Sequence, residues 1–308
     1  MVIIVRFKPS VDKDTACFII CVFCISYAME FAIIVMNLAG DYVGAWTLML
    51  LLMFVPALSV LIVAVIVRGE KLSKYSIGFG SLRLAPVAYM YPIALIFCAA
   101  ALMHMLGFQI DWRLRYFERI IEEATEGSNA NPEQIVRFLV LGSLAAPFVN
   151  MIFAAGEEVG WRGYLLDKLL ERNSLGTSLV LTGIIWALWH APLILFIGYN
   201  YPTLRGLGLL LYIPFCISHG TILAWLKFKS GGILIPALGH GAVNAFSWIG
   251  SYLYPHGDVF NLVVGMPGVL VSGVVAIVLY LDMRRDPRIV QRLAHSRHIF
   301  FLKVGELQ

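Results

Sequence analysis

The chain has 308 residues, of which 60% are hydrophobic and only 14% charged, with a formal net charge of +4. A soluble domain carries roughly 45–50% apolar and about 25% charged residues, and even large domains bury only about 75% of their surface. The composition therefore excludes a soluble cytosolic protein, a disordered chain and a nucleic-acid binder. It points to lipid as the natural solvent.

The first long apolar run begins near Ala16. It is too long for the apolar core of a signal peptide and has no small-residue cleavage site, so it is expected to be a span rather than a cleaved leader. Runs of about 20 apolar residues fit the ~30 Å hydrocarbon layer at 1.5 Å per residue. Eight such runs occur, at 16–38, 45–67, 85–108, 136–156, 176–198, 206–228, 232–254 and 260–281. The expected fold is all-α, a polytopic membrane helical bundle of about eight transmembrane helices forming one integral-membrane domain over 1–308. With eight spans, 18 of the 23 Lys and Arg fall on one side, leaving only Arg113, Arg115, Arg119, Arg137 and Arg205 on the other. By the positive-inside rule both termini are then cytoplasmic.

Between the third and fourth spans, residues 109–134 place Trp112, Tyr116, Arg119, Ile120 and Glu123 about a helical turn apart. This is the pattern of an amphipathic interfacial helix, ended by Gly127-Ser-Asn-Ala-Asn-Pro132. Residues 71–84 are expected to form a shorter interfacial helix on the inner side. The basic tail at 283–308 is expected to lie on anionic lipid in the cytoplasm. Cys17, Cys21, Cys24, Cys98 and Cys216 sit inside apolar runs and have no metal-type spacing, so they read as small packing residues.

Ionisable groups at membrane depth cost ~2.5–3.5 kcal/mol each on insertion scales, so they mark function. The fourth span runs into Glu157-Glu158-x-x-x-Arg162. Glu158 and Arg162 are i,i+4 in the favoured order for an ion pair. Glu157 points about 100° away, on the face of Asn150, with no local ionic partner. Gly156 and Gly160 make a small-x-x-x-small stripe that admits a neighbouring helix closely. The fifth span carries His190 in Trp186-Ala-Leu-Trp-His190-Ala-Pro192, where Pro192 leaves the Leu188 carbonyl without its helical donor. The seventh carries His240 and Asn244, i,i+4 on one face. Taken singly, each pattern also fits a charged helix end, a satisfied packing histidine or an interhelical contact.

Depth brings them together. At ~1.5 Å per residue, His240 lies about 13 Å and His190 about 20 Å from the inner end, and Glu157 lies within about 10 Å of its helix's inner end. All can share one cytoplasm-facing cavity in the inner half of the membrane. Scattered and unpaired, Glu157, Glu158 and Arg162 would cost on the order of 8–10 kcal/mol. Gathered around water they supply a base, a proton partner and oxyanion donors. His219, deeper in an apolar span, reads as structural, and Glu30 as an isolated group without an assigned role.

In order and on successive spans, Glu157-Glu158-x-x-x-Arg162, His190 and His240-x-x-x-Asn244 resemble the three motifs of the CPBP family. These are the type II CAAX prenyl proteases and bacteriocin-processing intramembrane proteases, also called Abi proteins. The resemblance covers about 136–254, which it marks as a four-helix catalytic core. Arg162-Gly-Tyr-Leu-Leu166 and Ala224-Trp-Leu226 are further family idiom.

The resemblance implies an intramembrane endopeptidase acting near the C-terminus of a prenylated CAAX or other membrane-associated peptide. Glu157 with His190 would activate water, and His240 with Asn244 would stabilise the oxyanion. Glu158 and Arg162 would hold the site or meet the substrate C-terminus. Trp186 stands where the family usually has phenylalanine, a departure that bears on the substrate groove. The expected state has no metal and no cofactor. The alternative is a zinc site through Glu157, His190 and His240, since two histidines and a carboxylate can bind Zn²⁺. Partners would be the peptide or prenylated C-terminus and membrane lipid, in the plasma membrane, with no nucleic acid. A non-catalytic immunity or peptide-binding protein of the same architecture is the competing class. A transporter is disfavoured, because no pair of broken helices repeats in corresponding halves.

Overall fold

The computed structural model describes residues 11–71, 75, 77–125, 131–255 and 257–291. Among these residues there are helices and no strands. In chain order, α1 (Lys13–Leu38) starts at an Asp12 cap whose side chain accepts from the Thr15 N–H. α2 (Tyr42–Leu52) and α3 (Val55–Val60) are separated by a break, and α3 runs on as a wide turn, Leu61–Val67. Pro56 at the start of α3 cannot donate to a preceding carbonyl, which is why the rod bends here, by 41°. α4 (Ala85–Met105) is followed by α5 (Arg115–Thr125). α6 (Pro132–Glu158) continues through a π-helical stretch, Val159–Leu165, into α7 (Leu166–Leu170). α8 (Leu175–Trp189), α9 (Arg205–Ser230), α10 (Leu234–Leu253) and α11 (Met266–Arg285) complete the bundle.

Five helices are long and apolar enough to cross a membrane, or six if α2 and α3 with its wide turn count as one bent span. α8 is apolar but shorter than a full span. The amphipathic segment expected over 109–134 is helical at Arg115–Thr125, where Phe117 packs edge-on against Tyr252 at 5.0 Å. Its terminating loop at 127–130 lies outside the described residues, as do 72–74 and 76 of the expected inner interfacial helix and most of the basic tail. Of that inner segment, residues 77–81 are irregular, and Tyr75 and Leu82–Leu84 are 3₁₀.

α6 and α10 make the most extensive helix pair, with α4 on the other flank of α10, while α9 lies between α8 and α11. The closeness has a local cause. A Cβ on Gly241 would lie 2.5 Å from the Met151 nitrogen and 2.8 Å from the Pro147 carbonyl oxygen, so α10 rests directly on the α6 backbone. The Gly156/Gly160 stripe works as its spacing predicts. A Cβ at Gly156 would meet the Met53 carbonyl oxygen at 2.6 Å, and one at Gly160 would meet Pro56 at 2.3 Å. α6 is thereby seated on the break between α2 and α3. The Gly241 contact holds α6 against the N-terminal half of α10, and the glycine stripe holds the end of α6 against the α2–α3 break.

Candidate active site

Glu157 is the last residue but one of α6, and it is buried. Its Oε2 accepts two indole hydrogen bonds, from Trp161 Nε1 at 3.1 Å and from Trp186 Nε1 at 2.7 Å. The sequence places no ionic partner beside Glu157, and none is found among the described residues, but the carboxylate is not free. One oxygen is clamped by two neutral donors, one a turn along the same helix and one from α8. The other makes no hydrogen bond among the described residues, and Glu157 lines a cavity of about 270 Å³.

Glu158 points elsewhere, as adjacent helical residues must. Its Oε1 accepts from Arg162 at 2.8 Å and pairs with His240 Nδ1 at 2.9 Å, all three side chains being buried. The i,i+4 ion pair expected from the spacing is present, and it reaches across to α10. Because Nδ1 of His240 faces an acceptor, Nε2 is the nitrogen left for other partners. The Arg162 guanidinium lies 4.1 Å from the Trp186 ring centroid, a cation–π contact at a buried site.

Trp186 thus touches most of the cluster. Its ring stacks near His219 at 5.8 Å and meets His240 edge-on at 5.2 Å and His190 at 6.2 Å. His190 follows the last residue of α8, and its Nδ1 lies 3.0 Å from the Trp186 carbonyl. A carbonyl only accepts, so Nδ1 carries the proton and Nε2 is the basic nitrogen of the neutral ring. The carbonyl that Pro192 leaves without its donor, that of Leu188, accepts from the Tyr27 hydroxyl at 2.9 Å. Aromatic rings hold His190 on its other sides, Trp189 at 4.6 Å, Tyr212 at 5.1 Å and Tyr199 at 6.1 Å.

Five of the six predicted side chains therefore lie in one connected cluster, and the sixth, Asn244, lines the same cavity with Glu157, His190 and His240. No hydrogen bond joins Glu157 to His190 among the described residues; Trp186 stands between them. Asn150, on the Glu157 face as its spacing predicts, lines the cavity too, with its amide donating to the Ala146 carbonyl at 3.0 Å.

Sequence reasoning assigned His219 to structure alone. It also lines the cavity, and its Nδ1 lies 3.2 Å from the Tyr91 hydroxyl of α4, which is itself 3.2 Å from the Gly239 carbonyl. Only the three-dimensional contact with α4 reveals this role; no spacing in the sequence does. Among the described residues, no three His, Cys, Asp or Glu side chains converge as a metal-ligand set. Glu30 is fully buried in α1, and among the described residues neither of its carboxyl oxygens has a hydrogen-bond partner.

The segment from α6 through the middle of α10 thus carries all the converging groups. Residues 132–246 match the Rce1-like family of type II CAAX prenyl endopeptidases. The resemblance drawn from the three motifs is borne out over that segment. A relative in the curated proteins, CAAX prenyl protease 2 of Methanococcus maripaludis, is 35% identical over 105 residues. The alignment covers 32% of this chain and 37% of the relative, so the chain matches little more than a third of that protein's length. The Rce1-like segment contains Glu157, Glu158, Arg162, His190, His219, His240 and Asn244. Tyr91, which meets His219, Tyr27, which meets the Leu188 carbonyl, and the α2 residues that line the cavity lie outside it.

Proposed function

We propose that this chain is an integral-membrane endopeptidase that hydrolyses a peptide bond near the C-terminus of a prenylated CAAX or other membrane-associated peptide. The observation that carries this reading is the Glu157 carboxylate. One oxygen is fixed by two indole donors, and the residue lines a cavity shared with two histidines and an asparagine. A positioned carboxylate beside a basic imidazole nitrogen is the equipment for activating water.

In this mechanism a water molecule bound between the free oxygen of Glu157 and His190 Nε2 gives up a proton to the Glu157 carboxylate as it attacks the scissile carbonyl. The tetrahedral oxyanion accepts from the Asn244 amide and from His240 Nε2 when that ring carries both protons. The proton then passes to the leaving amine. Glu158 orients His240 through its Nδ1, and Arg162 holds Glu158. The reading requires no metal and no cofactor, with Zn²⁺ on Glu157, His190 and His240 as its alternative.

The eight apolar runs coincide with eight helical rods when α2 and α3 are joined, α6 and α7 are joined, and α8 is extended through the wide turn Leu193–Ile197. With the 18-to-5 division of basic residues, this supports eight crossings with both termini cytoplasmic. On that reading the catalytic cluster starts about 9 Å along α10, at His240, from the cytoplasmic end of that helix.

The deciding experiment is cleavage of a fluorogenic farnesylated C-terminal peptide, and of its unlipidated counterpart, by the purified protein in liposomes. Wild type, Glu157→Gln and a zinc chelator form the arms. Cleavage by wild type, lost in Glu157→Gln and insensitive to chelator, is expected. Chelator loss restored by zinc moves the site to the metal class. Glu157→Gln retaining full activity overturns the assignment of the base.

A further inference from the structure

The turn that follows α8 brings two more polar side chains to the cavity. The wide turn Leu193–Ile197 ends at Gly198, which is left-handed at φ 75°. A Cβ there would lie 2.9 Å from the Pro202 Cα, so the position needs glycine. The Gly198 N–H donates to the Ile194 carbonyl at 3.2 Å and the Tyr199 N–H to the Leu193 carbonyl at 3.1 Å, which closes the helix end. Asn200 is left-handed as well, at φ 63°, and the Tyr201 N–H donates back to the Gly198 carbonyl at 3.0 Å. Asparagine takes this conformation more readily than most residues with a side chain. The two left-handed residues on either side of Tyr199 reverse the chain, so Tyr199 comes back beside His190. Their rings are nearly parallel, at 9°, with centroids 6.1 Å apart. Tyr199 and Asn200 both line the cavity that holds Glu157, His190, His240 and Asn244.

The phenol protons around the site have different fates. Tyr27 donates to the Leu188 carbonyl at 2.9 Å, Tyr91 to the Gly239 carbonyl at 3.2 Å and Tyr201 to the Val264 carbonyl at 2.6 Å. Tyr212 donates to the Cys216 sulfur. These four protons hold the walls together. Tyr199 differs. Its hydroxyl meets the Asn200 side chain, and no carbonyl accepts from it among the described residues. A carboxamide N–H can donate to the phenol oxygen and leave the phenol proton free. Burial pushes the Tyr199 phenol up to about 12, and the Glu157 carboxylate adds to the shift. The phenol therefore keeps its proton throughout the neutral range, within electrostatic reach of Glu157.

We infer that Tyr199 is a further catalytic residue, whose hydroxyl donates a hydrogen bond to the oxyanion of the tetrahedral intermediate while Asn200 fixes that hydroxyl. The role rests on the proteolytic reading; the closeness of the phenol to Glu157 does not. The chemistry of the site calls for such a donor. The Asn244 amide donates without a change of charge. His240 donates from Nε2 only when its ring carries both protons, because Nδ1 faces Glu158. With Tyr199 the oxyanion has two neutral donors, one from α10 and one from the turn after α8, and neither has to gain a proton first. Donors fixed in advance where negative charge develops usually make the largest single contribution to such a reaction. No proton leaves the phenol. The hydrogen bond strengthens as the carbonyl oxygen becomes negative and weakens when the intermediate collapses.

Tyr199→Phe keeps the ring beside His190 and removes only the hydroxyl. The full-length variant in liposomes, given the farnesylated peptide and its unlipidated counterpart, should lose about 10²-fold in kcat with KM changed by less than about twofold, at an unchanged melting temperature. An unchanged kcat overturns the inference, and so does a fall in kcat matched by an equal loss of folded protein. Meta-fluorotyrosine at position 199 is the second probe and keeps the hydroxyl. Its fluorine resonance should titrate at higher pH than that of the free amino acid. Glu157→Gln should bring the titration down, since the negative carboxylate holds the phenol proton on. A titration that Glu157→Gln does not move overturns the placement of the hydroxyl. Wild type and Tyr199→Phe cleaving equally well remove the phenol from the mechanism and leave the proteolytic reading standing. Wild type that cleaves neither peptide removes the proteolytic reading and, with it, the oxyanion role, whatever the titration.

Discussion

The Trp186 indole donates a 2.7 Å hydrogen bond to Glu157 and at the same time lies 4.1 Å from the Arg162 guanidinium. Phenylalanine, which the resembled family usually has at this position, keeps the ring but has no N–H. The departure at Trp186 is therefore a second clamp on the carboxylate proposed as base.

Trp186→Phe should keep much of the aromatic contact and remove one of the two donors on Glu157 Oε2. A hydrogen bond to a charged group contributes about 1.5–3 kcal/mol, and 1.4 kcal/mol is about tenfold in rate. Because Trp161 still holds the same oxygen, the expected effect is near the lower bound, about a tenfold fall in kcat with little change in KM. Steady-state peptide cleavage measures it. An unchanged kcat would show that Trp161 alone suffices.

Glu158→Gln should damage folding more than Glu157→Gln. It leaves the buried Arg162 charge without its carboxylate, and breaking one partner of a buried pair costs about 3–5 kcal/mol. Replacing Glu158 with Leu together with Arg162 with Met should recover much of the stability but not the activity, since His240 loses the acceptor that orients it. Thermal unfolding in detergent, read beside cleavage, separates the two effects. Equal melting temperatures for Glu158→Gln and wild type would refute the role of the pair in holding the site.

Much of this arrangement is legible in the sequence, for a physical reason. Helical periodicity is local, so Glu158 with Arg162, Asn150 with Glu157, and the Gly156/Gly160 stripe can be placed from spacing, and they stand where spacing puts them. Lipid demands long apolar runs, so the helices are visible as well. Groups that act across helices are not. Trp161 and Trp186 read as apolar residues until their N–H groups are seen to meet on one oxygen. Lys227, counted from the sequence as an inner-loop charge, is wholly buried because the π-helical stretch after Glu158 turns the Arg162 carbonyl toward it. The bend between α2 and α3 and the link from Tyr91 to His219 also depend on which helix lies alongside, information that a single chain's periodicity does not contain.

Lys227→Met tests whether that buried ammonium holds the π-helical stretch in place. The substitution keeps the stem and removes the contacts to the Arg162 carbonyl and to Asp167. An unsatisfied buried carbonyl costs about 1–3 kcal/mol. A fall in melting temperature is expected, together with new solvent exchange of backbone amides in Val159–Leu165 measured by hydrogen exchange. Unchanged protection there would mean that the stretch holds its conformation without the ammonium.

Gly241 and Gly142 give a matched pair of alanine substitutions within apolar helices. At Gly142 nothing lies within 4 Å of an added Cβ, so Gly142→Ala should be neutral or stabilising, by about 0.5–1 kcal/mol from helix propensity. At Gly241 the added carbon would stand 2.5 Å from the Met151 nitrogen, and backbone cannot move aside as a flexible side chain can. Overpacking of this kind costs about 1–3 kcal/mol. It should also push α10 off α6, moving His240 and Asn244 away from Glu157, so cleavage should fall further than stability alone explains. Melting temperature and kcat/KM of the two variants at a temperature where both are folded measure the difference. Full activity in Gly241→Ala would show that the distance between α6 and α10 does not set the geometry of the reacting groups.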